Sequence, residues 1–233
     1  MSVFLERQIE KLKKHVLHIG TLCEESVRDA IAAVSQRDVA LAQRVIENDK
    51  QIDLAEVDLE EECLHTLALN QPVAFDLRYV VAILKINNDL ERIGDHAKNI
   101  AEQAIALAEE AAVDRVPYDL RTMSQNVSTM LHDALDALVS LDVDKARSVR
   151  RLDDSVDTIN AQMYDKVIAE MRREPHHMEQ LVHFMSISKQ LERIADHCCN
   201  IAKDVLYMAE GEILRHMRLR QSEGTAPPES ATV

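Results

Sequence analysis

The chain repeats itself, and the repeat limits its fold more tightly than any figure of composition. Residues 90–101 read LERIGDHAKNIA and residues 191–202 read LERIADHCCNIA, identical at nine of twelve positions. A shorter pair precedes them: VIENDKQID from Val45 and VRRLDDSVD from Val149 share the valine and both aspartates. Both motifs come in the same order in each half, so the chain reads as two homologous units laid end to end.

Within each unit the apolar residues recur at helical spacing. Leu5, Ile9, Leu12, Val16, Ile19, Cys23, Val27 and Ile31 form one stripe, which predicts a helix from about Phe4 to Val34. Gln36 to Asp38 is a short break, with Asp38 an N-cap for a second helix reaching about Leu69. Pro72 stops that helix, because proline cannot donate to the ladder and restrains the residue before it. A third helix is predicted from about Phe75 to Ala112. The second half follows the same plan, with helices at about Leu120–Ser140, Val143–Arg172 and Met178–Arg220, and Pro175 where Pro72 stood. Only 4 Gly and 5 Pro interrupt a chain that is 46% hydrophobic, so long helices joined by short links are expected. The predicted fold is all-α: two tandem three-helix bundles, residues 1–114 and 115–220, followed by a polar, disordered tail at 221–233.

A net charge of −14 makes nucleic acid and anionic membrane poor partners, since both select basic faces. Cations and basic protein surfaces suit the chain better. Cys23, Cys63, Cys198 and Cys199 form no CxxC pair and read as reduced thiols of a cytoplasmic protein. No signal peptide is expected, and no run approaches the roughly 20 apolar residues of a spanning helix, so any membrane association runs through partners.

Each half carries two carboxylate pairs at i,i+4: Asp49/Asp53 and Glu91/Asp95, then Asp153/Asp157 and Glu192/Asp196. That spacing stacks like charges one turn apart on one face, which destabilises a helix by about 0.2–0.5 kcal/mol per pair. If the two helices of a unit face each other, the pairs make a four-carboxylate cluster suited to hard cations such as iron, manganese or magnesium. Asn99 and Asn200 continue the same stripes as supporting groups. Against a metal stand Arg92 and Arg193, which can neutralise the pairs, and the chance occurrence of acid pairs on solvated faces. The halves also differ. Glu56 and Glu60 extend the first acidic stripe where the second has Asn160 and Tyr164, and Lys189 replaces Asn88 as an internal cation beside Glu192. The first cluster is therefore expected to be the better metal site. His96 and His197 read as packing or surface residues, and Cys198 and Cys199 as small core residues, none of them as ligands.

The doubled LERI-x-DH-x-x-NIA motif, each copy preceded by D-x-x-x-D, together with QPVAFDLR from Gln71, resembles the PhoU family over nearly the whole chain. The resemblance implies two three-helix bundles related by a pseudo-twofold axis. It also implies iron, zinc or other metals at Asp49, Asp53, Glu91, Asp95, Asp153, Asp157, Glu192 and Asp196. The implied role is negative regulation: linking a phosphate ABC transporter, through its ATPase subunit, to the PAS region of a sensor histidine kinase when phosphate is abundant. Long exposed helices leave room for a homodimer. The competing readings are an accessory protein of a secondary phosphate transporter, a structural adaptor with solvated acid pairs, and a di-iron oxidase. Two Glu-x-x-His pairs on facing helices mark such oxidases, whereas Glu62-x-x-His65 has no partner at the repeat-equivalent position, and no phosphate loop or nucleophile motif appears. An enzyme is therefore not expected.

Overall fold

The computed structural model describes residues 3–110 and 116–211; the expected unit boundary at 114/115 and the tail at 221–233 lie outside the described residues. The described residues form six helices: α1 Val3–Gln36, α2 Val39–Asn70, α3 Ala74–Glu109, α4 Leu120–Ser140, α5 Val143–Arg173 and α6 Met178–Glu210. A 3-10 turn, Pro175–His177, introduces α6, and no strand occurs among the described residues. The fold class is thus all-α, as the periodicity predicts.

Local chemistry explains the breaks. Asp38 accepts a hydrogen bond from Leu41 N at 3.0 Å, and Asp119 and Asp142 cap α4 and α5 in the same way at 3.0 and 2.9 Å. Gln71 and Leu141 end α2 and α4 in the left-handed region, at φ 44° and 52°. α6 ends at Glu210, where Gly211 turns to φ 75° and donates its N–H to Tyr207 O, and the rest of the expected run, to Arg220, lies outside the described residues.

In the first repeat α3 packs against α1 and α2, and in the second α6 packs against α4 and α5. The most extensive helix–helix contact, however, joins the two repeats: α3 lies along α6. Its polar crossings fix the direction. Lys85 meets Asp204, Asp89 meets His197, His96 meets Gln190 and Gln103 meets His183, so α3 and α6 run antiparallel. The buried apolar residues make one continuous cluster through both repeats, including Ile93 and Ile194 of the repeated motif, both fully buried. Between α1 and α4 the backbones come close at Gly20, where a Cβ would lie 2.6 Å from Leu135 Cδ2. The antiparallel seam sends the α2–α3 and α5–α6 turns to opposite ends, and both ends expose apolar side chains: Leu69, Val73 and Phe75 at one, Ile168, Met178 and Val182 at the other.

Because one core serves both repeats, truncating either motif isoleucine should weaken the whole fold. Ile93→Ala and Ile194→Ala are each expected to cost about 2–5 kcal/mol, read as a single shifted urea transition. Two separate transitions in either variant would contradict a shared core.

Candidate functional site

The acidic residues singled out by the repeat sit where α2 meets α3 and where α5 meets α6. In the first repeat Asp49 is only 3% exposed, buried against α3 at Gly94, where an added Cβ would lie 3.6 Å from its Oδ1. Lys98 donates to Asp49 Oδ2 at 2.7 Å, while Oδ1 has no hydrogen-bond partner. Arg92 reaches Asp95 at 3.0 Å and comes within 3.2 Å of Glu91 Oε2, a buried oxygen that still lacks a properly directed hydrogen bond. Burial first, then the charges of Asp49 and Asp95, pushes the Asp53 carboxyl above its ordinary range. Burial and Asp95 do the same to Glu91, with Arg92 opposing. Glu56 is raised too, by burial and then by Glu60 and Asp53. The structure therefore brings Asp49, Asp53, Glu91 and Asp95 into one electrostatic neighbourhood, with Glu56 at its edge.

The second repeat rebuilds the arrangement with different neutralising groups. Lys98 has Cys199 as its counterpart, and the Cys199 thiol bonds to Asp153 where the ammonium bonds to Asp49. Asp153 is raised by burial and by Asp157 and Asp196, and its Oδ1 is buried without a hydrogen bond. Asp196 is raised by burial, Glu192 and Asp157. Lys189 holds Glu192 at 2.5 Å, the internal cation expected from the sequence. The first cluster, however, is also internally neutralised, by Lys98 and Arg92, so the expected advantage of the first site over the second does not follow from internal cations. Asn200 turns away from its cluster, donating to Asp89 at 3.3 Å and accepting from Lys203 at 3.2 Å. The Asn99 side chain makes no hydrogen bond among the described residues.

Among the described residues no three His, Cys, Asp or Glu side chains converge closely enough to hold one metal ion. The carboxylates are turned instead onto Lys98, Arg92 and Lys189. The donor set nevertheless suits a hard cation: it is all oxygen, burial and neighbouring carboxylates raise Asp53, Glu91, Asp153 and Asp196, and buried oxygens on Asp49, Glu91 and Asp153 have no hydrogen bond. Burial holds the remaining candidates apart from ligand chemistry. Cys198 and Cys199 are buried, and desolvation pushes the Cys199 thiol to about 12.

The histidines that sequence reading assigned to packing form the centre of the molecule. His96 and His197 are equivalent residues of the two motifs, and their rings lie 5.5 Å apart across the α3–α6 seam. Asp89 Oδ1 accepts from His197 Nδ1 at 2.7 Å, and the equivalent Gln190 Oε1 accepts from His96 Nδ1 at 2.8 Å. These are one contact seen twice, so a pseudo-twofold axis runs between the rings. Burial, with His197 and Arg193 nearby, lowers the His96 pKa.

A profile of the PhoU domain matches the chain twice, over residues 16–104 and 120–205. The phosphate-specific transport system accessory protein PhoU homolog of Pseudomonas putida is 38% identical over 223 residues, covering 94% of this chain and 87% of its own length. The homolog of Aquifex aeolicus is 37% identical, covering 93% of this chain and 98% of that one. A crystal structure of PhoU from Pseudomonas aeruginosa superposes with a TM-score of 0.86 at 37% identity, covering 89% of this chain and 99% of that one. A phosphate transport system regulatory protein PhoU from Streptococcus pneumoniae gives 0.81 at 28% identity, covering 90% and 99%.

A raised carboxyl favours the protonated form in the fold. Its ionisation costs stability above the folded-state pKa, and the cost fades as pH falls through that value toward the ordinary range of about 4. In metal-free protein Asp153→Asn should therefore raise the melting temperature by a few degrees at pH 7.5 and by much less near pH 4.5. A melting temperature that falls equally at both pH values would show that Asp153 stabilises the fold as an anion.

Proposed function

We propose a function from one premise: the chain belongs to the PhoU family and is a non-enzymatic accessory protein of a phosphate transport system. On our reading it is a cytoplasmic, metal-binding regulator of phosphate uptake. It joins the ATPase subunit of a phosphate ABC transporter to the PAS region of a sensor histidine kinase and keeps the phosphate response off when phosphate is abundant. The observation that carries this reading is the match of both repeats to the family, with its acid pairs held together across α2/α3 and α5/α6. No helix among the described residues is long and apolar enough to cross a membrane, which agrees with recruitment through partners. The exposed apolar ends, at Leu69, Val73 and Phe75 and at Ile168, Met178 and Val182, suit protein contacts, either with those partners or within a homodimer.

Asp49, Asp53, Glu91 and Asp95 would hold a metal in the first repeat, and Asp153, Asp157, Glu192 and Asp196 in the second. Iron, zinc, manganese or magnesium supplies positive charge between the two helices of each pair. Lys98, Arg92 and Lys189 supply the same charge from the chain itself, so loading competes with these side chains. The carboxylates thereby brace α3 and α6, the two helices that meet at the seam.

Cells lacking the protein are expected to show high alkaline phosphatase activity in phosphate-rich medium, returned to repression by the wild-type chain. Glu91→Ala with Asp95→Ala should restore repression only in part and should lower the metal content of the purified chain. Repression that persists without the protein would instead place it with a secondary phosphate transporter and remove the kinase link.

A further inference from the structure

A groove opens at the seam beside the stacked histidines. It encloses about 440 Å³ and is lined by His96, Lys189, Arg193, Asp196, His197 and Asn200. In a chain of net charge −14, four of these six side chains are cationic or imidazole. Pseudo-symmetry supplies an internal comparison. Arg92, the counterpart of Arg193, is closed onto Asp95 and Glu91. No hydrogen bond or ion pair engages the exposed Arg193 guanidinium among the described residues, and its charge is felt at His96. Asn88, the counterpart of Lys189, carries no charge. The first repeat thus spends its arginine on its own acid pair, whereas in the second Lys189 is closed onto Glu192 and Arg193 is left open to the groove. A guanidinium fork without a carboxylate partner is a ready donor to an oxyanion.

We infer that this groove binds a phosphoryl oxyanion, inorganic phosphate in the simplest case. Arg193 supplies charge and donors, Lys189 adds charge from its pairing with Glu192, and Asp196 accepts the hydrogen of a protonated phosphate oxygen. The acceptor accounts for an otherwise awkward carboxylate. At neutral pH inorganic phosphate keeps a proton to donate, while sulfate keeps none and meets Asp196 as bare repulsion. His96 gives its Nδ1 hydrogen to Gln190, which leaves Nε2 as a second acceptor. Because His96 belongs to α3 and the other lining residues to α6, an occupant touches both repeats. This inference stands on the groove and does not depend on the kinase link proposed above.

The test is isothermal titration of the full chain, treated with a chelator, against inorganic phosphate and against sulfate. Saturable phosphate binding is expected, with sulfate weaker. Arg193→Gln should weaken phosphate at least about tenfold, the scale of one hydrogen bond to a charged group, while circular dichroism stays unchanged. Asp196→Asn should narrow the preference for phosphate over sulfate, and Arg92→Gln should leave binding unaltered. The inference is overturned if phosphate gives no heat at millimolar concentration, if it binds only after metal is added back, or if Arg92→Gln and Arg193→Gln weaken it equally. The first of these would leave the reporter result above untouched, so the two readings fail separately.

Discussion

Everything in the molecule is arranged around the antiparallel packing of α3 on α6. Each of these helices carries the repeated motif, and each has one face in its own three-helix unit and another against its counterpart. The seam joins two helices whose apolar side chains are deeply buried, Ile93, Ala97, Ile194 and Ala195 among them. Its polar crossings are few and mutually satisfied, which fixes the register: a shift by one turn would separate Asp89 from His197 and Gln190 from His96. One core follows from that contact, and so does the exposure of the two turn regions at opposite ends.

Equivalent positions make equivalent contacts with altered chemistry. Asn87 donates to Glu56 at 3.2 Å in the first repeat, and Ser188 donates to Asn160 at 2.9 Å in the second. Asp49 takes an ammonium from Lys98, where Asp153 takes a thiol from Cys199. Across the seam, His197 meets a carboxylate and His96 an amide. The geometry has been kept while the charges have been redistributed, so the two acidic clusters are alike in layout and unlike in how their charge is met.

Each cluster lies against a helix that reaches the seam, α3 in the first repeat and α6 in the second, and this links site to architecture. Gly94 lets Ile52 and Asp49 close onto α3, since a Cβ there would come within 2.9 Å of Ile52 Cδ1. In the second repeat Ala195 occupies the position, fully buried. Charge introduced at Asp49 or Asp153 is therefore felt by helices that also carry His96 and His197. The groove beside those rings is lined by polar groups from both repeats.

The sequence by itself determined the helices, their order and the acid pairs, because these depend on local periodicity, caps and proline. The stripe from Leu5 to Val27 is buried as the spacing requires, and Asp38 caps α2. It also determined the doubling, which is plain in LERIGDHAKNIA and LERIADHCCNIA. Asp119 and Asp142 were legible as caps by the same rule that found Asp38. The end of α6 at Gly211 is of the kind a glycine C-cap announces in the sequence. What only the tertiary structure decided is which residues meet across long separations. Nothing local says that Asp89 bonds to His197, that Lys98 rather than Arg92 neutralises Asp49, or that Arg193 stays free while Arg92 is closed. Those outcomes depend on how two helices cross and which rotamers their neighbours leave open, and period and spacing carry no record of either.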